Sequence, residues 1–266
     1  MFYSPYDLHI HTRCSDGKLS SNEIYEKLIK ENIEICSITD HDNMDFYNEE
    51  ALGRNVFVIK GIELSTFASF SDEVHILGYG IDNKNEAIYK YCEEIKKHNS
   101  TLMYKVFKIL RNYNIVNSVD CLKDRMSYKR LNLYLKDMGL YDNIKRLSEL
   151  EAENPFLFDL DYKLDCYQAV SMIKEAGGYA FLAHPYRSIE NFDSKIKKLN
   201  LLNVLDGIEC YSPHNTEIET ERLRQYCLER SLLISGGSDF HNLNKATHNL
   251  GQNYYKDIKR TLNYIT

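Results

Sequence analysis

Two histidines, His9 and His11, stand two residues apart in "YDLHIHTRCSDGKL", followed by Asp16 and the turn residue Gly17. Imidazole nitrogens and a carboxylate at this spacing can share a metal ion, and the same side-chain types recur along the chain. His41 lies in "TDHD", Glu63 in "GIEL", His75 in "EVHILGYG" and His184 in "AHP", while Asp239 and His241 fall in "GSDFH". A single histidine near a strand end needs no metal. A series of nine such side chains, almost all at strand ends, points to a metal centre. Mixed nitrogen and oxygen ligands suit Zn, Mn or Fe better than a soft thiolate site would.

The elements that must carry these residues alternate. "YDLHIH", "EICSITD", "NVFVIKGIEL", "EVHILGYGI", "GYAFLAHP", "LDGIECY" and "SLLISGGSDFH" read as seven short strands. Ser20 with Glu23, Asp165 with Gln168, and Thr216 with Glu219 are capping pairs that open helices between them. The first helix is predicted to bury Ile24, Leu28 and Ile29; the second buries Ala169, Val170 and Ile173 and stops at Gly177-Gly178. Strands alternating with helices predict an α/β fold with a parallel sheet, either open or closed into a barrel. In such sheets ligand sites form at the carboxyl ends of the strands, so the nine side chains should converge in space. The interval from about 85 to 164 carries helical spacing almost throughout. It is expected to be a helical insertion over the active-site end of a core made of residues 1–84 and 165–266.

Composition bounds the partners. A chain of 266 residues, 43% hydrophobic and 27% charged, is an ordinary globular one. No apolar run approaches the roughly 18 residues of a membrane span, and "MFYSPYDL" is not a basic region leading into an apolar one. Seven scattered cysteines without a CxxC pair predict reduced thiols, hence a cytoplasmic protein. The net charge of -6 argues against binding of long duplex nucleic acid. Between Lys90 and Lys163 the balance reverses, with 14 Lys and Arg against 11 Asp and Glu.

"DLHIHTRCSDG", "TDHD", "GIELS", "AHP" and "GSDFH", in this order, resemble the successive motifs of the polymerase-and-histidinol-phosphatase (PHP) superfamily. The resemblance implies a distorted (β/α)7 barrel with three divalent transition-metal ions, Mn, Fe or Zn. It implies one ion on His9, His11 and Asp239, with Glu63 bridging to a second that also takes His75 and His184. Asp16, His41 and His241 would hold the third. Asp40 and Asp42, which flank His41, are expected to orient a ligand or hold the loop rather than bind metal.

Clustered divalent ions polarise phosphoryl oxygens and lower the pKa of bound water, which suits hydrolysis of a phosphate ester. Covalent routes are poorly provided for. Ser238 lacks a nucleophile-elbow setting, and Cys210 and Cys227 have no evident activating base. No GxxxxGK[ST] occurs and "GGYAFLAHP" is not a dinucleotide fingerprint, which excludes the common kinase and dehydrogenase patterns. A phosphate also calls for a guanidinium. Arg187, three residues beyond His184, is the foremost candidate, Arg130 is the insertion's, and Arg13 is a weaker one; His214 in "YSPHN" could orient phosphate or shuttle a proton.

"AVSMIKEAGGYAFLAHPYR" and "LDGIECYSPHNTE" are similar to the bacterial subgroup that dephosphorylates nucleoside 3',5'-bisphosphates and trims short RNA from its 5' end. Around Arg130 the match loosens, because Asn132 replaces a histidine common in that subgroup. The expected substrate is a small phosphorylated one, a nucleotide or short 5'-phosphorylated RNA. Histidinol phosphate is the enzymatic rival, and a metal-stabilised domain without catalysis is the rival of another class.

Overall fold

Each predicted capping pair opens a helix. In the computed structural model, which describes residues 5–48, 55–68, 71–112, 149, 164–189, 192, 200–242, 249–251 and 258–266, α1 (Ser21–Lys30) begins with the Ser20 hydroxyl accepting from the Glu23 N–H. The Glu23 carboxylate in turn accepts from the Ser20 N–H at 2.8 Å. α1 buries Ile24, Tyr25 and Leu28, each full apolar burial contributing roughly 1.5–3 kcal/mol. Ile29, expected on that face, is 49% exposed instead. The buried residues Ile24, Leu28 and Tyr25 span about 100° of the helix, and Ile29 falls about 40° beyond Tyr25, outside that arc. α2 (Glu86–Asn112) and α3 (Cys166–Glu175) follow; α3 has Asp165 and Gln168 as its reciprocal cap and buries Ala169, Val170 and Ile173. A one-turn helix α4 (Pro185–Ser188), then α5 (Glu217–Glu229), capped by Thr216 and Glu219, and α6 (Ile258–Ile265) follow, with short 3-10 turns at Asp45–Asn48 and Asn200–Asn203.

Seven strands form one sheet in chain order: β1 (Tyr6–Ile10), β2 (Ile35–Ile38), β3 (Phe57–Ala68), β4 (Ser71–Tyr79), β5 (Tyr179–Leu182), β6 (Gly207–Tyr211) and β7 (Leu233–Gly236). The sheet nearly closes on itself. Just past β7, Phe240 bridges Ile10 in parallel, with the His11 N–H donating to the Phe240 carbonyl at 2.9 Å. The chain is therefore a distorted (β/α)7 barrel. It is not all-parallel as the strand–helix alternation predicts, because β4 runs antiparallel to both β3 and β5. The reason is chain length. A parallel crossover needs a dozen or more residues, and β3 reaches to Ala68 while β4 starts at Ser71.

β1 is buried along its whole length, with Leu8 and Ile10 in the core and His9 at 0% exposure. Gly237 lets the end of β7 approach it: a Cβ there would fall 2.3 Å from the His9 Cβ. No helix among the described residues is long and apolar enough to cross a membrane, and the described cysteines are free thiols.

The chain divides into two compact units, residues 1–89 with 163–266, and residues 90–162. Most of the second unit, including the predicted helix around Arg130, lies outside the described residues.

Candidate metal centre

β1 delivers the first ligands. His9 lies on the strand and His11 just past its end, two residues apart and so on one face. Their Nε2 atoms are 3.0 Å apart, and both face Glu63 Oε2, at 3.2 and 3.1 Å. Asp239 Oδ1, from the turn after β7, lies 3.4 Å from His9 Nε2 and 3.3 Å from His11 Nε2. Glu63 sits in the middle of β3, fully buried. Its second oxygen, Oε1, meets His75 Nδ1 from β4 at 2.8 Å and His184 Nε2 from the end of β5 at 3.0 Å. Outward from these, Asp16 Oδ1 lies 3.3 Å from His241 Nε2 and 3.5 Å from His11 Nδ1, and His41 Nδ1 lies 3.3 Å from Glu63 Oε2.

The donor atoms form three overlapping groups: His9, His11, Glu63 and Asp239; His41, Glu63 and His75; and His11, Asp16, His41 and His241. All nine predicted side chains are brought together. The groups share members more than the expected partition did, with Glu63, His11 and His41 each standing in two, and His184 joined through Glu63 Oε1.

The residues fit divalent ions. Atoms about 2.1 Å from one ion stand about 3.0–3.4 Å from one another in octahedral or tetrahedral arrangements, which is the spacing found around His9, His11, Glu63 and Asp239. The Nδ1 of His11 is buried without a hydrogen-bond partner among the described residues. Burial opposes ionisation of Asp16, Glu63 and Asp239, yet the facing imidazoles hold all three carboxyls well below their ordinary range. Conversely, burial disfavours a charged His11, but Asp239 and Glu63 push its pKa up to about 10. Protons on the imidazoles thus balance these anions, and a divalent cation bound there would displace them.

Local backbone aims the ligands. Asp239 has φ 50° and His184 φ 23°, left-handed conformations that cost about 1–3 kcal/mol each in a non-glycine residue and collect at functional sites. A Cβ on Gly17 would fall 2.4 Å from the His11 carbonyl oxygen, so glycine lets the Asp16 loop fold back over His11. Asp40 accepts from the Thr12 N–H at 2.7 Å and from the Ser15 hydroxyl, holding that loop. Asp42 accepts from the Ser65 N–H at 3.0 Å. Both flanking aspartates therefore secure loops.

Arg187, on α4, and His214, after β6, meet at Asp239. Arg187 Nη1 and His214 Nε2 each lie 2.8 Å from its Oδ2, the oxygen turned away from His9 and His11. Arg187 remains 44% exposed. Arg13 is not drawn in: its guanidinium donates to the Lys18 carbonyl at 3.2 Å and lies 3.5 Å from Glu23, both on the surface. Arg130 lies outside the described residues.

Sequence reasoning missed Glu209 and Asp7. Glu209, in the centre of β6, is fully buried with Oε1 2.9 Å from His9 Nδ1. Asp7 accepts from the Ser238 N–H at 2.9 Å and the Gly251 N–H at 3.1 Å, tying β1 to the segments after β7; burial raises its pKa to about 6. The available signal was a carboxylate inside each of the apolar strands "YDLHI" and "GIECY", where an unpaired charge is too costly to keep.

A nearly closed α/β barrel whose strands converge imidazoles and carboxylates into overlapping divalent-ion clusters is the framework of a metal-dependent hydrolase. The chain belongs to the PHP family, matching the PHP domain over residues 7–183. It is a metal-dependent phosphoesterase of that superfamily, acting on small phosphorylated substrates. It is similar to a phosphoribosyl 1,2-cyclic phosphate 1,2-diphosphodiesterase of Eggerthella lenta, 26% identical over 88% of this chain and 93% of the relative. It is also similar to a 3',5'-nucleoside bisphosphate phosphatase of Chromobacterium violaceum, 26% identical over 88% of this chain and 86% of that one. Among solved structures, an amidohydrolase from Chromobacterium violaceum superposes with TM-score 0.77 at 22% identity, covering 98% of this chain and 96% of its own, which shows a common fold.

Proposed function

We propose that this protein removes the 3'-phosphate of nucleoside 3',5'-bisphosphates, using three divalent ions held by the nine clustered side chains. The observation that carries a phosphate site is the meeting of Arg187 and His214 on Asp239, whose other oxygen faces His9 and His11. An anion held by Arg187 would thus lie beside the ligand cluster. The nucleotide assignment is supported by the Chromobacterium relative and by the sequence around Arg187 and His214.

Ions bound there would polarise the phosphoryl oxygens and lower the pKa of a bound water. The chain's own residues do the rest. Arg187 offers paired donors to the phosphate, keeping or exchanging its contact with Asp239. His214, whose Nε2 contacts the same carboxylate, would hand a proton to the departing 3'-oxygen as the P–O bond breaks and water supplies the new oxygen on phosphorus. Arg130, in the basic stretch of the insertion, is proposed as the partner of the 5'-phosphate. A remote phosphate held this way contributes to positioning the reacting one, which a monophosphate cannot do.

A cyclic phosphodiester is the second reading, favoured by the equal identity to the Eggerthella enzyme. The deciding measurement is kcat/KM under Mn²⁺ for adenosine 3',5'-bisphosphate, AMP, phosphoribosyl 1,2-cyclic phosphate, a 5'-phosphorylated RNA trimer and histidinol phosphate. The bisphosphate should lead. Equal rates on AMP would remove the second-phosphate site, and a lead for the cyclic ester or histidinol phosphate would reassign the substrate.

Arg187→Ala should lower kcat/KM on the preferred substrate by about 2–3 kcal/mol, on the order of 30- to 200-fold, with metal content unchanged. Parental kinetics in that variant would make the Arg187–Asp239 contact a structural ion pair only.

A further inference from the structure

We infer that Glu209 is a positioning residue that sets which nitrogen of His9 carries the proton, and so makes His9 Nε2 available to a cation. This rests on the reading of the cluster as a metal centre. Glu209 stands at the middle of β6, fully buried, and each of its oxygens has a separate task. Oε2 accepts from the backbone N–H of His184 at 2.7 Å. Oε1 lies 2.9 Å from His9 Nδ1, on the side of the ring opposite the cluster. A neutral imidazole has one N–H, and a carboxylate can only accept. The proton is therefore drawn to Nδ1, and the lone pair is left on Nε2 facing His11, Glu63 and Asp239. The same carboxylate holds the backbone of His184 at its unusual φ of 23°. One side chain from β6 thus locks a ligand of β1 and a ligand of β5.

The geometry explains why a carboxylate is needed rather than an amide of the same shape. The His184 N–H is always a donor, so a glutamine at this position must place its only oxygen there. Its NH₂ group then faces His9 Nδ1, which has to become the acceptor. The proton moves to Nε2 and points an N–H into the cluster, where a lone pair is required. Glu209→Gln is nearly isosteric, so a change in His9 tautomer separates positioning from simple packing.

The experiment uses the full-length zinc-loaded protein, labelled with ¹⁵N in histidine, and reads ring protonation from two-bond ¹H–¹⁵N correlations alongside zinc content and affinity. The parent should show a hydrogen-bonded Nδ1–H on His9 with no proton on Nε2. Glu209→Gln should lose that signal and bind its weakest-held zinc about 10–100-fold less tightly. Parental affinity with a retained Nδ1–H in Glu209→Gln would overturn the inference. So would a parent whose His9 carries its proton on Nε2, a result that stands even if the variant does not fold. A parent that binds no zinc, manganese or iron would sink the metal reading itself, which is a separate outcome.

Discussion

Glu63→Gln should lose more than one metal ion per chain and almost all hydrolytic activity. Glu63 is fully buried and faces five imidazoles: His75 and His184 on one oxygen, and His9, His11 and His41 on the other. An amide keeps the volume but removes the charge and turns a donor toward one of these groups. Removing one partner of a buried charged set costs about 3–5 kcal/mol, which on the barrier is roughly a 10²- to 10⁴-fold fall in kcat/KM. Elemental analysis after reconstitution with Mn, Fe or Zn, run beside the kinetics, provides the check. A variant that keeps a full complement of metal would show that Glu63 does not join two positions.

Stripping the metals should abolish hydrolysis and lower the thermal midpoint by about 15–30 °C. Three sites saturated at about 100 times their Kd contribute about 8 kcal/mol by mass action, and a chain of this size shifts about 2–4 °C per kcal/mol. Without the cations, protons are the compensating charge, as the raised pKa of His11 shows. Rebinding must then release protons, so metal affinity should rise with pH through the neutral range and fall in acid. Scanning calorimetry before and after chelation, with titrations in buffers of different ionisation enthalpy, tests both parts. A thermal midpoint indifferent to chelator and metal would mean the cluster does not hold ions under those conditions.

The legible part of the site was the part written as spacing. His9 and His11 share a face because strand side chains repeat every two residues. Asp239 and His241 were visible as a strand-end pair. What spacing could not say was which donors share an ion. His41 approaches Glu63 as well as Asp16, and His11 offers one nitrogen to each of two groups, which depends on ring orientations set by packing. Glu209 stands mid-strand, as Glu63 does, but it holds ligands from behind instead of joining the cluster, and nothing in "GIECY" shows that. Its role appears only once β6 is seen to pass behind both His9 and His184.

Local chemistry written in the chain therefore determined the capped starts of α1, α3 and α5, the number of strands, the ligand types and the class of reaction. Each depends on a few adjacent residues: a side chain reaching its own backbone three positions on, or a periodicity of two. Tertiary structure alone decided the closure of Ile10 on Phe240 and the pairing of Arg187 and His214 on one oxygen of Asp239. These join residues far apart in the chain, and their geometry is set by how the strands twist and close.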